Sequence, residues 1–68
     1  MIGEKIEELI SKSGISKAFV AKSLNITPKT LTNKLSGRTE FTVSEIRVIV
    51  FLLNLSKVET AELILQYM

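Results

Sequence analysis

Cysteine and histidine are both absent from this 68-residue chain. Without cysteine there is no disulfide framework and no thiolate metal site. Without histidine the usual general base and the commonest metal ligand are missing as well. No glycine-rich phosphate loop appears, and no pair of acids implies a cleft. An enzyme is therefore not expected, nor a metal, a cofactor or a small-molecule substrate. No apolar run approaches the roughly 18 residues of a membrane span, and the N-terminus lacks a secretory pattern. The expectation is a cytoplasmic protein with no membrane partner.

Acidic residues are missing from one long stretch. Between Ser11 and Thr39 there is no Asp or Glu, yet Lys12, Lys17, Lys22, Lys29, Lys34 and Arg38 all fall there. Glu4, Glu7, Glu8, Glu40, Glu45, Glu59 and Glu62 lie outside it. Net charge is only +2, so the asymmetry is one of placement. A solvated basic face is the plain explanation; a surface for a polyanion is the sharper one. The hydrophobic share is 46% and the mean hydropathy +0.30, high for a chain near the lower size limit of a single core. Such a chain either packs very efficiently or hides apolar surface in an oligomer. No linker, repeat or low-complexity segment divides it, so residues 1–68 read as one domain.

Helical periodicity runs through the whole chain. Ile2, Ile6, Leu9 and Ile10 mark a first helix, with Gly3 at its cap, Ser13-Gly14 as its stop, and its acids on a side that faces no phosphate backbone. Ser16 caps a second helix over Lys17 to Leu24, and Asn25 holds the turn, where asparagine tolerates positive φ. Thr27 caps a third helix with Pro28 at N1, and Gly37 ends it. Leu31 and Leu35 face inward there, leaving Pro28, Lys29, Thr32, Asn33 and Ser36 outside. Three hydrophobic staples have the right spacing: Ile15 with Val20, Ile26 with Leu31, and Phe41 with Ile46.

The remaining two helices are too apolar for one buried stripe. Thr42 to Glu45 forms a capping box for a fourth helix with Ile46, Ile49, Val50 and Leu53 inside. Val48, Phe51 and Leu52 are apolar as well, so that helix is expected to be buried on more than one side. Ser56 to Glu59 offers a second box for a fifth helix reaching about Tyr67. Phe51, Leu52, Leu55 and Val58 form the centre of a patch suited to an isologous homodimer.

The stretch from Ser16 to Ser36 packs two short helices and a tight connector among unopposed lysines. It resembles the helix-turn-helix of phage Cro and repressor proteins, the lambda-repressor-like family. Lys17, Val20-Ala21, Asn25-Ile26-Thr27, Leu31 and Gly37 stand at the family's pattern positions. The similarity continues through Leu35 to Phe41, Ser44-Glu45-Ile46 and Leu52 to Leu55, nearly the whole chain. Lys17 replaces a common glutamine, Asn25 a common glycine, and Lys34 a usual apolar residue. Leu35 is expected to take over that packing while the Lys34 stem snorkels outward.

The resemblance implies an all-α, five-helix domain with its helix-turn-helix at helices two and three. It implies a transcriptional regulator that binds double-stranded DNA at a near-palindromic operator as a dimer. Helix three would lie in the major groove and read bases through Thr27, Pro28, Lys29, Thr32 and Asn33. Ser16, Lys17, Ser36, Arg38 and Thr39 would hold the phosphate backbone. Lys12, Lys22 and Lys34 would add to the general field. Two alternatives stay open: an antirepressor-like interaction module pairing with a larger repressor, and the DNA-binding half of an antitoxin pair.

Overall fold

Every helix after the first begins on a hydroxyl. Ser16, Thr27, Thr42 and Ser56 hold extended backbone, and each side-chain oxygen accepts the N–H three residues on. In the computed structural model, which describes residues 2–68, these caps open α2 (Lys17–Ser23), α3 (Pro28–Leu35), α4 (Val43–Leu52) and α5 (Lys57–Tyr67). They follow α1 (Ile2–Ser13). No strand occurs among the described residues. Pro28 fills the first turn of α3, where a missing N–H leaves no hydrogen bond unmade. Both capping boxes close: the Thr42 N–H donates to Glu45 Oε1 at 2.8 Å and the Ser56 N–H to Glu59 Oε1 at 3.0 Å.

The helix ends are as regular as the starts. Asn25, Gly37 and Asn54 have φ of 60°, 89° and 52°, the left-handed conformation expected one residue past a C-cap. Each reverses the chain in the same way. Asn25 N–H bonds the Lys22 carbonyl and Ile26 N–H the Ala21 carbonyl; Gly37 and Arg38 repeat this on Lys34 and Asn33. Asn54 and Leu55 repeat it on Phe51 and Val50. These paired bonds satisfy carbonyls that a helix end would otherwise leave open.

Gly3 departs from its expected place. It lies inside α1, buried, instead of capping it. A Cβ there would stand 2.2 Å from the Leu35 carbonyl oxygen. The glycine is thus a contact surface: it lets the backbone of α1 approach the C-terminal turn of α3.

The core joins Ile6 and Ile10 of α1, Val20 and Ala21 of α2, Leu31 and Leu35 of α3, Phe41, Ile46 and Ile49, and Leu63 of α5. Ile15, Ile26, Val50 and Leu53 pack partly buried against it, and Phe41 is fully inside. All three staples therefore reach the core. Each fully buried Ile or Leu contributes about 1.5–3 kcal/mol. α1 packs against α3 and α5, and α2 packs against α3 and α4. α3 is thus gripped from two sides and presents its remaining face to solvent.

Candidate nucleic-acid interface

That free face carries the residues expected to read bases. Thr27, Pro28, Lys29 and Thr32 are exposed, and Asn33 is half-buried beside them. The Thr27 hydroxyl is occupied, accepting the Thr30 N–H at 3.1 Å and donating to Thr30 Oγ1 at 2.9 Å. Its methyl is the part left for a partner. Thr32 Oγ1 donates to the Pro28 carbonyl at 3.0 Å, so its oxygen faces outward only as an acceptor. The Asn33 side-chain amide makes no hydrogen bond among the described residues. Its carbonyl, in contrast, accepts from Ser36 Oγ at 3.0 Å and from the N–H groups of Arg38 and Thr39 at 2.9 and 3.4 Å.

Asn33 therefore anchors the exit loop that holds three of the expected backbone-contact residues. Ser36, Arg38 and Thr39 are all exposed, and Arg38 has no ion-pair partner among the described residues. Ser16, also exposed, uses its oxygen to cap Phe19 at 3.1 Å and keeps its O–H free to donate. Phe19 itself is 51% exposed on the outer side of α2.

The separation of charge in the sequence is not kept in space. Lys12 pairs with Glu8 at 3.3 Å, Lys17 with Glu7, and Lys34 with Glu45 at 3.1 Å. Lys22, Lys29 and Arg38 remain without a carboxylate partner among the described residues. The acids of α1 do not all point away from the basic segment, because Glu7 reaches the first residue of α2. Ten positions separate Glu7 from Lys17 across the break at Gly14, so no helical i,i+4 rule signals this contact.

Lys34 corrects a second expectation. It does not snorkel outward; only 11% of its side chain is exposed. Its Nζ donates to the Glu40 carbonyl at 2.9 Å and lies 5.9 Å from the centroid of the buried Phe41 ring. Together with Glu45 these partners satisfy the ammonium inside the fold, so it has no need of solvent. Lys34 is a clamp between the end of α3 and the start of α4, and its charge is withdrawn from the surface. Burial alone would raise the Glu45 carboxyl, but the Thr42 N–H and the Lys34 ammonium outweigh it and hold it below the ordinary 4.5. The Ser56 N–H, with smaller help from Lys12 and Lys5, lowers Glu59 in the same direction.

The C-terminal surface is distinct from this face. Phe51 is 87% exposed and Val58 68%. Leu52 and Leu55 are half-buried against the core, Leu55 because it follows the left-handed Asn54 and folds back under α4. Leu65 at 74% and Met68 at 92% exposed extend the apolar surface beyond the expected four residues. Their register with Val58 and Ala61, spaced three and four apart, is the signal that marks them in the sequence. A largely apolar groove of about 340 Å³ runs between α4 and α5, lined by Val43, Ile46, Arg47, Val50, Thr60, Ile64 and Tyr67.

Among the described residues no helix is long and apolar enough to cross a membrane. Comparison with protein-family models, curated proteins and solved structures finds no match to this chain.

Proposed function

We propose that the chain is a sequence-specific double-stranded DNA-binding transcriptional regulator, a lambda-repressor-like domain of the Cro kind. It acts in the cytoplasm as a homodimer on a near-palindromic operator. One observation carries this reading. The α2–turn–α3 pair exposes Pro28, Lys29 and Thr32 of α3 and its C-cap Ser36, and Lys22, Lys29 and Arg38 have no carboxylate partner among the described residues. A helix of that length, with donors and methyl groups at its N-terminal half, fits the major groove.

Lys29 is the donor for guanine O6/N7, and Asn33 the partner for adenine N6/N7. Thr27 and Pro28 supply apolar contact to thymine methyls. Ser16, Ser36, Arg38 and Thr39 set the register on the phosphates. Phe51 and Val58, with the open edges of Leu52 and Leu55, supply the two-fold contact. The described residues extend 29 × 23 × 19 Å, so two copies side by side suit half-sites roughly 34 Å apart.

Fluorescence anisotropy with random duplex, at low and moderate salt, tests DNA binding directly. Salt-sensitive binding at micromolar protein is the expected result, and its absence would sink the proposal. Selection from a random duplex pool then tests half-site symmetry and spacing. The exposed apolar surface around Phe51, Val58, Leu65 and Met68 favours one second reading. On that reading the chain is an interaction module that pairs with a larger repressor, and duplex binding is absent while the partner is captured.

A further inference from the structure

In the Lys17–Glu7 contact an acid from outside the basic segment reaches an expected phosphate-binding residue. Lys17 Nζ donates to Glu7 Oε2 at 2.5 Å, and the two side chains are 51% and 47% exposed. Both groups are thus open to solvent, and the lysine is within reach of an incoming anion. A carboxylate at hydrogen-bond distance occupies the same donor positions on an ammonium as a phosphate oxygen does. The two anions compete for one cation.

We propose that Glu7 tempers the sequence-independent affinity of the chain for DNA by holding Lys17 away from phosphate. The proposal rests on the DNA-binding reading. In a loose, non-specific encounter, a phosphate near α2 must displace a neighbouring carboxylate that is already in place. That exchange gains little, so Lys17 adds almost nothing to random-sequence binding. Lys22, Lys29 and Arg38, which have no such partner, supply that attraction instead. The base contacts of α3 do not involve Glu7, so the carboxylate lowers the non-specific background and leaves direct readout intact. The contact joins α1 to α2 across the Gly14 turn, so its geometry is set by the fold and not by one helix.

The test is a two-by-two cycle read by anisotropy on random duplex across a salt series, using wild type, Glu7→Gln, Lys17→Gln and the double variant. Exposed ion pairs are worth a small factor, so Glu7→Gln is expected to tighten random-duplex binding by about two- to fivefold. It should also steepen the slope of log K against log salt by up to about 0.9 per subunit, one additional phosphate contact. In the Lys17→Gln background the same change should have no such effect. The double variant carries the same net charge as wild type, so the cycle separates the specific contact from the overall field. Equal gains in both backgrounds, or no gain in either, overturn the role of Glu7 while leaving DNA binding in place. A wild-type chain with no salt-sensitive binding at all overturns both.

Discussion

At the scale of single residues, two positions bear on α3 from opposite sides. Asn33 faces outward with an unengaged amide, while its carbonyl holds the exit loop through Ser36, Arg38 and Thr39. Asn33→Ala leaves that carbonyl in place, so the fold should be unaffected. Binding to a selected operator should weaken by about 1–3 kcal/mol and binding to scrambled duplex should change little. Equal losses on both duplexes, measured by anisotropy, would remove Asn33 from the reading set. Gly3, in α1, packs against the inner side of α3. An added Cβ would meet the Leu35 carbonyl at 2.2 Å, a backbone atom that cannot swing aside. Gly3→Ala gains about 1 kcal/mol of helix propensity. A clash this close with a backbone oxygen falls at the upper end of overpacking costs, about 3 kcal/mol, so the net effect in chemical denaturation is destabilising. A midpoint at or above that of wild type would show that α1 and α3 separate at little cost.

At the scale of elements, the joint between α3 and α4 decides how firmly the reading face is held. Lys34 and Thr42 converge on Glu45 Oε1, tying the last turn of one helix to the cap of the next. Only 15% of the Glu45 side chain is exposed, and its acid form is disfavoured by the same two partners. A group whose folded pKa is depressed contributes stability above its unfolded value and loses it as pH falls through the folded one. Glu45 therefore stabilises fully above about pH 4.5, and that contribution disappears progressively below it. Glu59 adds to the slope in the same direction through its own capping box. Lys34→Met removes one partner from a buried carboxylate and should cost about 1–3 kcal/mol at neutral pH. It should also flatten the acid limb of the stability profile. Denaturation curves between pH 3 and 7 check both, and an unchanged acid limb would contradict the clamp.

At the scale of the whole molecule, the unpaired cations of the helix-turn-helix and the most exposed apolar residues belong to different elements. Unpaired Lys22, Lys29 and Arg38 accompany α3, whereas Phe51, Val58, Leu65 and Met68 lie on α4, α5 and the residue beyond. Phe51 is an exposed apolar side chain on α4, the helix that also lines the apolar groove, and a two-fold contact buries such a surface on both copies at once. Phe51→Glu should weaken self-association by about 2 kcal/mol or more, with the monomer still folded because the ring touches little of the core. Sedimentation equilibrium measures this directly. The same weight-average mass for both proteins would place the pairing surface elsewhere.

Sequence patterns determined the helix boundaries closely, for a physical reason. Hydroxyl caps, Pro28, the left-handed positions Asn25, Gly37 and Asn54, and the staples act over four or five residues, so they are written in adjacent letters. The buried stripe of each helix follows from periodicity in the same way, as does the outward set on α3. Contacts between elements were not legible. Gly3 reads as a cap until α3 is seen against it, because close backbone approach depends on a partner 32 positions away. Lys34 reads as a surface charge until Glu45, Glu40 and Phe41 surround it. The acid-free run from Ser11 to Thr39 reads as an unopposed basic surface. Glu8 takes Lys12 within α1 at i,i+4 spacing, and tertiary packing brings Glu7 and Glu45 to two more of its six cations. Local chemistry chose the helices, and only tertiary packing decided which of their charges stay available.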